Sequence, residues 1–219
     1  MRITIGVDLG QARDATALAA ISSYRGEPVE TARGRTRRPL HHSLIGLERL
    51  PVGTAYPAQV ELIKAFADRF AEDQKPTLYV DATGVGRPVL DLLRQGCPHP
   101  ICGVTIGSGA VPAQSGRDWS VPKADLIGVL DVALSSRRAH FQPGLRLAKD
   151  LDKELRAYSY ELSATGRAKY EGRGVHDDLV LALALAIWGS EKGGGGTEAF
   201  QEMMAAAIST RQEMTHREQ

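Results

Sequence analysis

Apolar residues alternate or run continuously through three leading segments, about Arg2–Asp8, Thr16–Tyr24 and Leu44–Leu50, and predict three strands. "RGEP" reads as a tight turn after the second of them. The period changes at Pro57. From there to Phe70, residues Val60, Leu62, Ile63, Phe66, Ala67 and Phe70 recur at helical spacing, with the proline suited to a first turn. "PTLYVDATG" predicts a short buried strand, followed by a helix from about Arg87-Pro88 through Leu93 and a strand over "ICGVTIGSG". "VPKADLIGVLDVALSSR" reads as an amphipathic helix with Pro122 at its start, "RAHFQ" as a short edge strand, and "GLRLAKDLDKELRAY" as a helix. "YSYELSATGRAKYEG" has the pattern of a hairpin around "ATGR", and "HDDLVLALALAIWGS" that of a last helix ending at Gly189. Three strands, then alternating helix and strand, then a closing helix predict an α/β fold with a mixed central sheet flanked by helices.

The pattern assigns residues 1–190 to one domain. "GGGG" at Gly193–Gly196 then opens a flexible linker, and the polar tail to 219 has helical potential around Ala199–Ile208. At 219 residues and 42% hydrophobic content the chain has material for a sizeable core. A net charge of +1 removes any global attraction to nucleic acid, so charge can act only through local clusters. Cys97 and Cys102 do not have zinc-ligand spacing and have no second pair to complete a site, which leaves a reducing compartment as the default. No signal-peptide pattern opens the chain, and "LVLALALAIW" is too short to cross a bilayer, so the expectation is a cytoplasmic protein that avoids membranes.

Three acidic positions each interrupt an apolar element. Asp8 ends the first strand, Asp81 ends "LYV" ahead of the small residues "ATGVG", and Asp177 and Asp178 open the most apolar helix. Singly, each has a structural explanation as a turn residue or a helix cap. If the first strand and the "LYV" strand are neighbours, Asp8 and Asp81 leave the same sheet edge, and the last helix can bring Asp177 or Asp178 over it. Several carboxylates within a few Å stay ionised together only beside compensating cations. Hard cations such as Mg²⁺ or Mn²⁺ match an all-oxygen set, and a pair of them about 4 Å apart is suited to phosphodiester hydrolysis.

"GVDLG", "YVDATGVGRPVLDLL", "VPKADLIGVL" and "HDDLVLALALA" resemble, in order, the motifs of the nuclease domain of phage terminase large subunits, and "LERLPVGTAYPAQV" resembles the family's segment between third strand and first helix. The resemblance covers about residues 1–190. It implies an RNase H-like fold related to RuvC-type resolvases and a two-metal endonuclease that cuts double-stranded viral DNA during genome packaging in the host cytoplasm. It implies Asp8, Asp81 and Asp178 as catalytic metal ligands (two Mg²⁺ or Mn²⁺ ions), with Asp177 as the adjacent alternative. His176 would be a supporting group or a contact to the scissile phosphate; as a sequence position it reads rather more as a solvent-facing helix-entry residue. The partners implied are a packaging ATPase domain, a terminase small subunit and a portal. The ATPase's G-x-x-x-x-G-K-[ST] loop has no counterpart in these residues, since "TGVGRP" lacks the Lys and the Ser/Thr. RuvC-type enzymes carry a further acid one turn into the final helix, where this chain has Leu181, which favours the terminase branch over a junction resolvase.

For DNA contacts, Arg33, Arg35, Arg37 and Arg38 form the densest basic cluster, and Lys123, Arg167, Lys169 and Arg173 are further candidates. The alternative for the arginines is a solvated hairpin tip. Aromatic content of 5% is poor material for a base-stacking platform, so duplex DNA fits better than a single strand. The competing class is an actin-like or sugar-kinase ATPase, in which "GVDLG" and "DATGVG" would be phosphate loops; that fold needs two related subdomains and a longer chain. A docking module with remnant acids is a third reading.

Overall fold

The computed structural model describes residues 1–10, 14–30, 34–72, 74–84, 86–109, 111–162, 168–172 and 177–194, and at 158–162, 168–172 and 193–194 it describes the backbone. Strands β1 (Arg2–Asp8) and β2 (Ala17–Arg25) pair antiparallel, with Asp8 opposite Ala17. Two residues each of β3 (Val29–Glu30) and β4 (Thr36–Arg37) form a small separate ladder, and β5 (Leu40–Arg49) returns along β2 with Arg49 opposite Ala17. Then follow α1 (Tyr56–Asp68), β6 (Thr77–Asp81), α2 (Gly86–Gly96), β7 (Ile101–Gly107), β8 (Ala113–Ser115) and β9 (Asp118–Pro122). The chain continues with α3 (Lys123–Ser135), β10 (Ala139–Phe141), α4 (Ala148–Ala157), the hairpin β11 (Tyr158–Leu162) and β12 (Ala168–Gly172), and α5 (Asp178–Gly194). The central sheet is mixed and eight-stranded, in the order β10-β5-β2-β1-β6-β7-β9-β8. The predicted α/β class and the flanking helices are therefore present.

Four sequence expectations change. The span given wholly to a helix from Val121 divides at Pro122, which closes β9, and β8 and β9 were absent from the sequence reading. Strand β5 starts at Leu40, four residues early, so the residues directly after the arginine cluster are sheet and His42 is only 1% exposed. Helix α4 begins at Ala148. Helix α5 passes Gly189 and reaches Gly194, into the glycines expected to start a linker. The residues of "ATGR" and the tail from 195 onward lie outside the described residues.

Alternation along the strands divides the core in two. Ile5, Val7, Leu18, Ala20, Leu78 and Val80 pack with residues of α1 and α2 on one face. Ala17, Ala19, Ile21, Leu44, Leu47 and Tyr79 pack with α3 and α5 on the other. On this second face β1 presents Arg2, Thr4, Gly6 and Asp8, of which Thr4, Gly6 and Asp8 are buried. No large side chain separates α5 from the sheet there: a Cβ on Gly6 would stand 1.9 Å from the Ala182 carbonyl oxygen. Farther along, a Cβ on Gly189 would stand 2.3 Å from the Tyr79 ring. The alanines of "LALALA" and these two glycines let the helix lie directly on the sheet. Among the described residues, no helix is long and apolar enough to cross a membrane.

Candidate metal centre at the sheet edge

Strands β1 and β6 are parallel neighbours in the register Val7↔Val80. Asp8 and Asp81 are the next residues of each, so they leave the same edge about 4.8 Å apart in backbone. The position of α5 supplies the third acid. Gly6 and Asp8 share a face of β1 and are separated by about 6.6 Å of strand rise. Ala182 and Asp178 share a face of α5 and are separated by about 6 Å of helix rise. Because Ala182 sits on Gly6, Asp178 comes to rest over Asp8. Asp177 precedes it at the helix entrance.

The electrostatics follow from this convergence. Burial pushes the Asp8 carboxyl well above the ordinary carboxylate range, Asp81, Asp178 and Asp177 push it further, and Lys123 opposes them. Asp81 is also raised, chiefly by burial, against hydrogen bonds from Thr83 and the charge of Lys123. The Thr83 amide donates to Asp81 Oδ1 at 2.8 Å, and the Ile106 amide donates to Thr83 Oγ1 at 2.9 Å, which ties the turn after β6 to β7. Lys123, at the start of α3, places its Nζ 3.3 Å from Asp177 Oδ2. Of the two consecutive aspartates, Asp178 is the buried one, at 7% exposure. Among the described residues, no three His, Cys, Asp or Glu side chains close on one point as a ligand set. The donor chemistry is nonetheless that of a hard cation: all oxygen, several charges, and one carboxyl buried among like charges.

Sequence reasoning missed the residues that hold this edge together. Glu154 of α4 is 4% exposed, and its Oε2 accepts from the amides of Leu179 at 3.0 Å and Val180 at 3.2 Å, capping the first turn of α5. Burial raises the Glu154 carboxyl, and Arg49 and these two amides work against that rise. Arg49 Nη2 donates to Glu154 Oε1, and its Nε lies 3.6 Å from Asp178 Oδ2. One signal was present: Glu154 stands three residues after Leu151, on the apolar stripe of α4. Thr16 and Gln59 close the neighbouring loop, with Gly10 N donating to Thr16 Oγ1 and Thr16 Oγ1 to Gln59 Oε1, each at 3.0 Å.

The basic candidates separate. Lys123 is at the acids. Arg35, Arg37 and Arg38 are on the β3–β4 side, where Arg25 faces Leu40, and the length of β2 puts that end about 26 Å from the Asp8 end. Arg33, Arg167, Arg173 and His176 lie outside the described residues, and Lys169 is described only as backbone of β12.

No protein-family model and no curated protein matches the chain. Solved structures do. The large-terminase nuclease of the thermophilic phage G20c with bound cobalt superposes with a TM-score of 0.58 at 23% identity, over 85% of this chain and 80% of that one. The same nuclease with bound magnesium gives the same values. The large-terminase nuclease domain of bacteriophage SPP1 with bound manganese gives 0.51 at 13% identity, over 87% of each chain. The architecture is thus the RNase H-like α/β fold of large-terminase nuclease domains, in agreement with the motif resemblance.

Proposed function

We propose that this chain is a divalent-metal-dependent endonuclease that hydrolyses phosphodiester bonds of double-stranded viral DNA. In this reading it is the nuclease portion of a terminase large subunit, working in the host cytoplasm with a packaging ATPase domain, a small subunit and a portal. What carries the reading is the meeting of Asp8, Asp81 and Asp178 at one sheet edge, with Asp177 beside them, in a fold whose solved neighbours hold cobalt, magnesium or manganese.

Asp8, Asp81 and Asp178 would hold the cations, with Asp177 available at the rim. Asp81, Asp178 and Asp177 stand close enough to raise Asp8, and cation binding would draw the carboxylates together. Two Mg²⁺ or Mn²⁺ ions supply charge neutralisation at the phosphate and an acidified water. The chain's own residues do the rest. Thr83 fixes the orientation of Asp81, and α5 delivers Asp178 from above the sheet. Lys123, paired with Asp177, is the cation placed to meet a phosphate at this edge. Arg35, Arg37 and Arg38, at the far end, are not assigned to the strand being cut.

The test is nicking and linearisation of supercoiled plasmid with Mg²⁺ or Mn²⁺, abolished by EDTA. Asp81→Asn removes a ligand and should lower the rate by about 10²-fold or more, corresponding to several kcal/mol of transition-state stabilisation. Cleavage by a folded Asp81→Asn protein at the wild-type rate would refute the assignment.

A further inference from the structure

Charge is balanced over the whole chain, with 27 basic and 26 acidic residues, yet the stretch between Asp131 and Asp150 holds Arg137, Arg138, Arg146 and Lys149 and no acid. That stretch covers the end of α3, the edge strand β10 and the start of α4. Arg138 turns inward to Glu191. Arg137, Arg146 and Lys149 are exposed and, among the described residues, have no carboxylate partner. Helix α4 continues the run: Lys149, Lys153 and Arg156 stand at i, i+4 and i+7 on one face, opposite the buried Leu151. The side chains of Lys153 and Arg156 are 74% and 78% exposed, and they pair with Asp150 at 3.8 Å and Asp152 at 2.8 Å on the same helix. Pairs this exposed contribute little and exchange readily for another anion.

The ends of this basic face are fixed by the fold. Glu154, in the last turns of α4, bonds Arg49 at the end of β5 and caps α5 beside Asp178, so that end of α4 lies at the acid edge. Strand β10 is the outermost strand of the sheet on that side and joins β5 at His42. From His42 to Arg49 is about 24 Å of strand, the length of about seven base pairs of B-DNA. The exposed cations therefore follow the β10 border of the sheet away from the acids.

We propose that the exposed face of α4 and the adjoining β10 border form a phosphate-binding track for duplex DNA beyond the cut site. The inference rests on the nuclease reading above and names the surface on which the uncut part of the duplex lies. The competing role for such charges is to keep an edge strand from pairing with other chains. That role involves no release of counterions from DNA, so salt dependence separates the two.

The experiment is fluorescence anisotropy of a labelled duplex of about 30 base pairs, titrated with the full chain in EDTA over a series of salt concentrations. Arg146→Gln combined with Lys149→Gln removes two contacts. Affinity should fall at least about tenfold near 0.1 M salt, and the slope of log affinity against log salt should become shallower by about 1.8. Lys64→Gln, on α1 at the opposite face of the sheet, should leave the slope as in wild type. Asp152→Asn releases Arg156 from its acid and should tighten binding about threefold. An unchanged slope in the double variant, an equal loss in Lys64→Gln, or weaker binding by Asp152→Asn overturns the track. Melting temperatures report whether each variant folds, and if the double variant does not, Asp152→Asn decides by itself. Any of these failures leaves the nuclease reading standing when wild type cuts plasmid with Mn²⁺. A wild type that neither cuts plasmid nor binds duplex refutes that reading and the track with it.

Discussion

Asp8 is buried at 9% exposure and is surrounded by its own kind of charge. Its folded-state pKa is above the ordinary 3.8, so the folded form binds the proton more tightly than the unfolded chain does. The stability associated with that proton is complete below 3.8 and is lost as pH rises through the raised value. Asp8→Asn should therefore melt higher than wild type in EDTA at neutral and alkaline pH, and the difference should shrink as pH falls toward the ordinary carboxylate range. A melting difference that is independent of pH would contradict this. At this scale the sequence was informative where chemistry conflicts with pattern: Asp8, Asp81 and Asp178 each break an apolar element, and a carboxylate there needs a reason. Arg49 and Glu154 were harder to read, because one charged residue at a strand end and one in a charged helix are ordinary until the tertiary structure joins them.

Helix α5 fixes the relation between the acids, and its seam with β1 depends on Gly6. The atom that a Gly6 Cβ would meet is backbone, which no rotamer change can relieve. Gly6→Ala should cost about 3 kcal/mol, the upper part of the overpacking range, and should weaken Mn²⁺ binding by lifting Asp178 from Asp8. Urea denaturation reads the first effect, and an unchanged midpoint would refute the close-contact argument. Gly189 shows why the predicted helix end was misplaced. A glycine after an apolar run usually marks a stop, but this one makes room for the Tyr79 ring and the helix continues. Strands β8 and β9 were missed for a different reason: they are three and five residues long, and β8 is exposed throughout, so no period could develop.

Across the molecule, the end of the sheet away from the acids is held by a second polar assembly. Arg138 Nη1 donates to Glu191 Oε1 at 2.5 Å and to the Leu40 carbonyl at 2.8 Å, while His42 Nε2 lies 3.3 Å from the same Glu191 oxygen and His42 Nδ1 2.9 Å from Ser23 Oγ. It joins β2, β5, the turn before β10 and the last turns of α5. Burial raises the Glu191 carboxyl, but His42 and Arg138 outweigh it and hold it below the ordinary 4.5. Stability from this group is therefore present above 4.5 and is lost as pH falls through the lowered value. Glu191→Gln should cost about 3 kcal/mol at neutral pH, as expected for a broken buried pair, with the difference closing in acid. Equal acid-unfolding midpoints for the two proteins would count against it. The general architecture was legible because the order of strand and helix periods carries topology. The two-ended division of polar groups was not, since Arg138 and Glu191 are far apart in sequence and only the packed sheet brings them together.

Four residues of α5 and two residues of β1 advance by almost the same length, so from Ala182 to Asp178 helix and strand run in phase along their shared seam. The separation of Asp178 from Asp8 is thus inherited from a contact between two small residues that carry no charge. An extra residue between Asp178 and Ala182 would rotate the carboxylate by about 100° and aim it away from the sheet, even though every acid was still in place. In this fold the spacing of the chemistry is timed by the backbone beneath it.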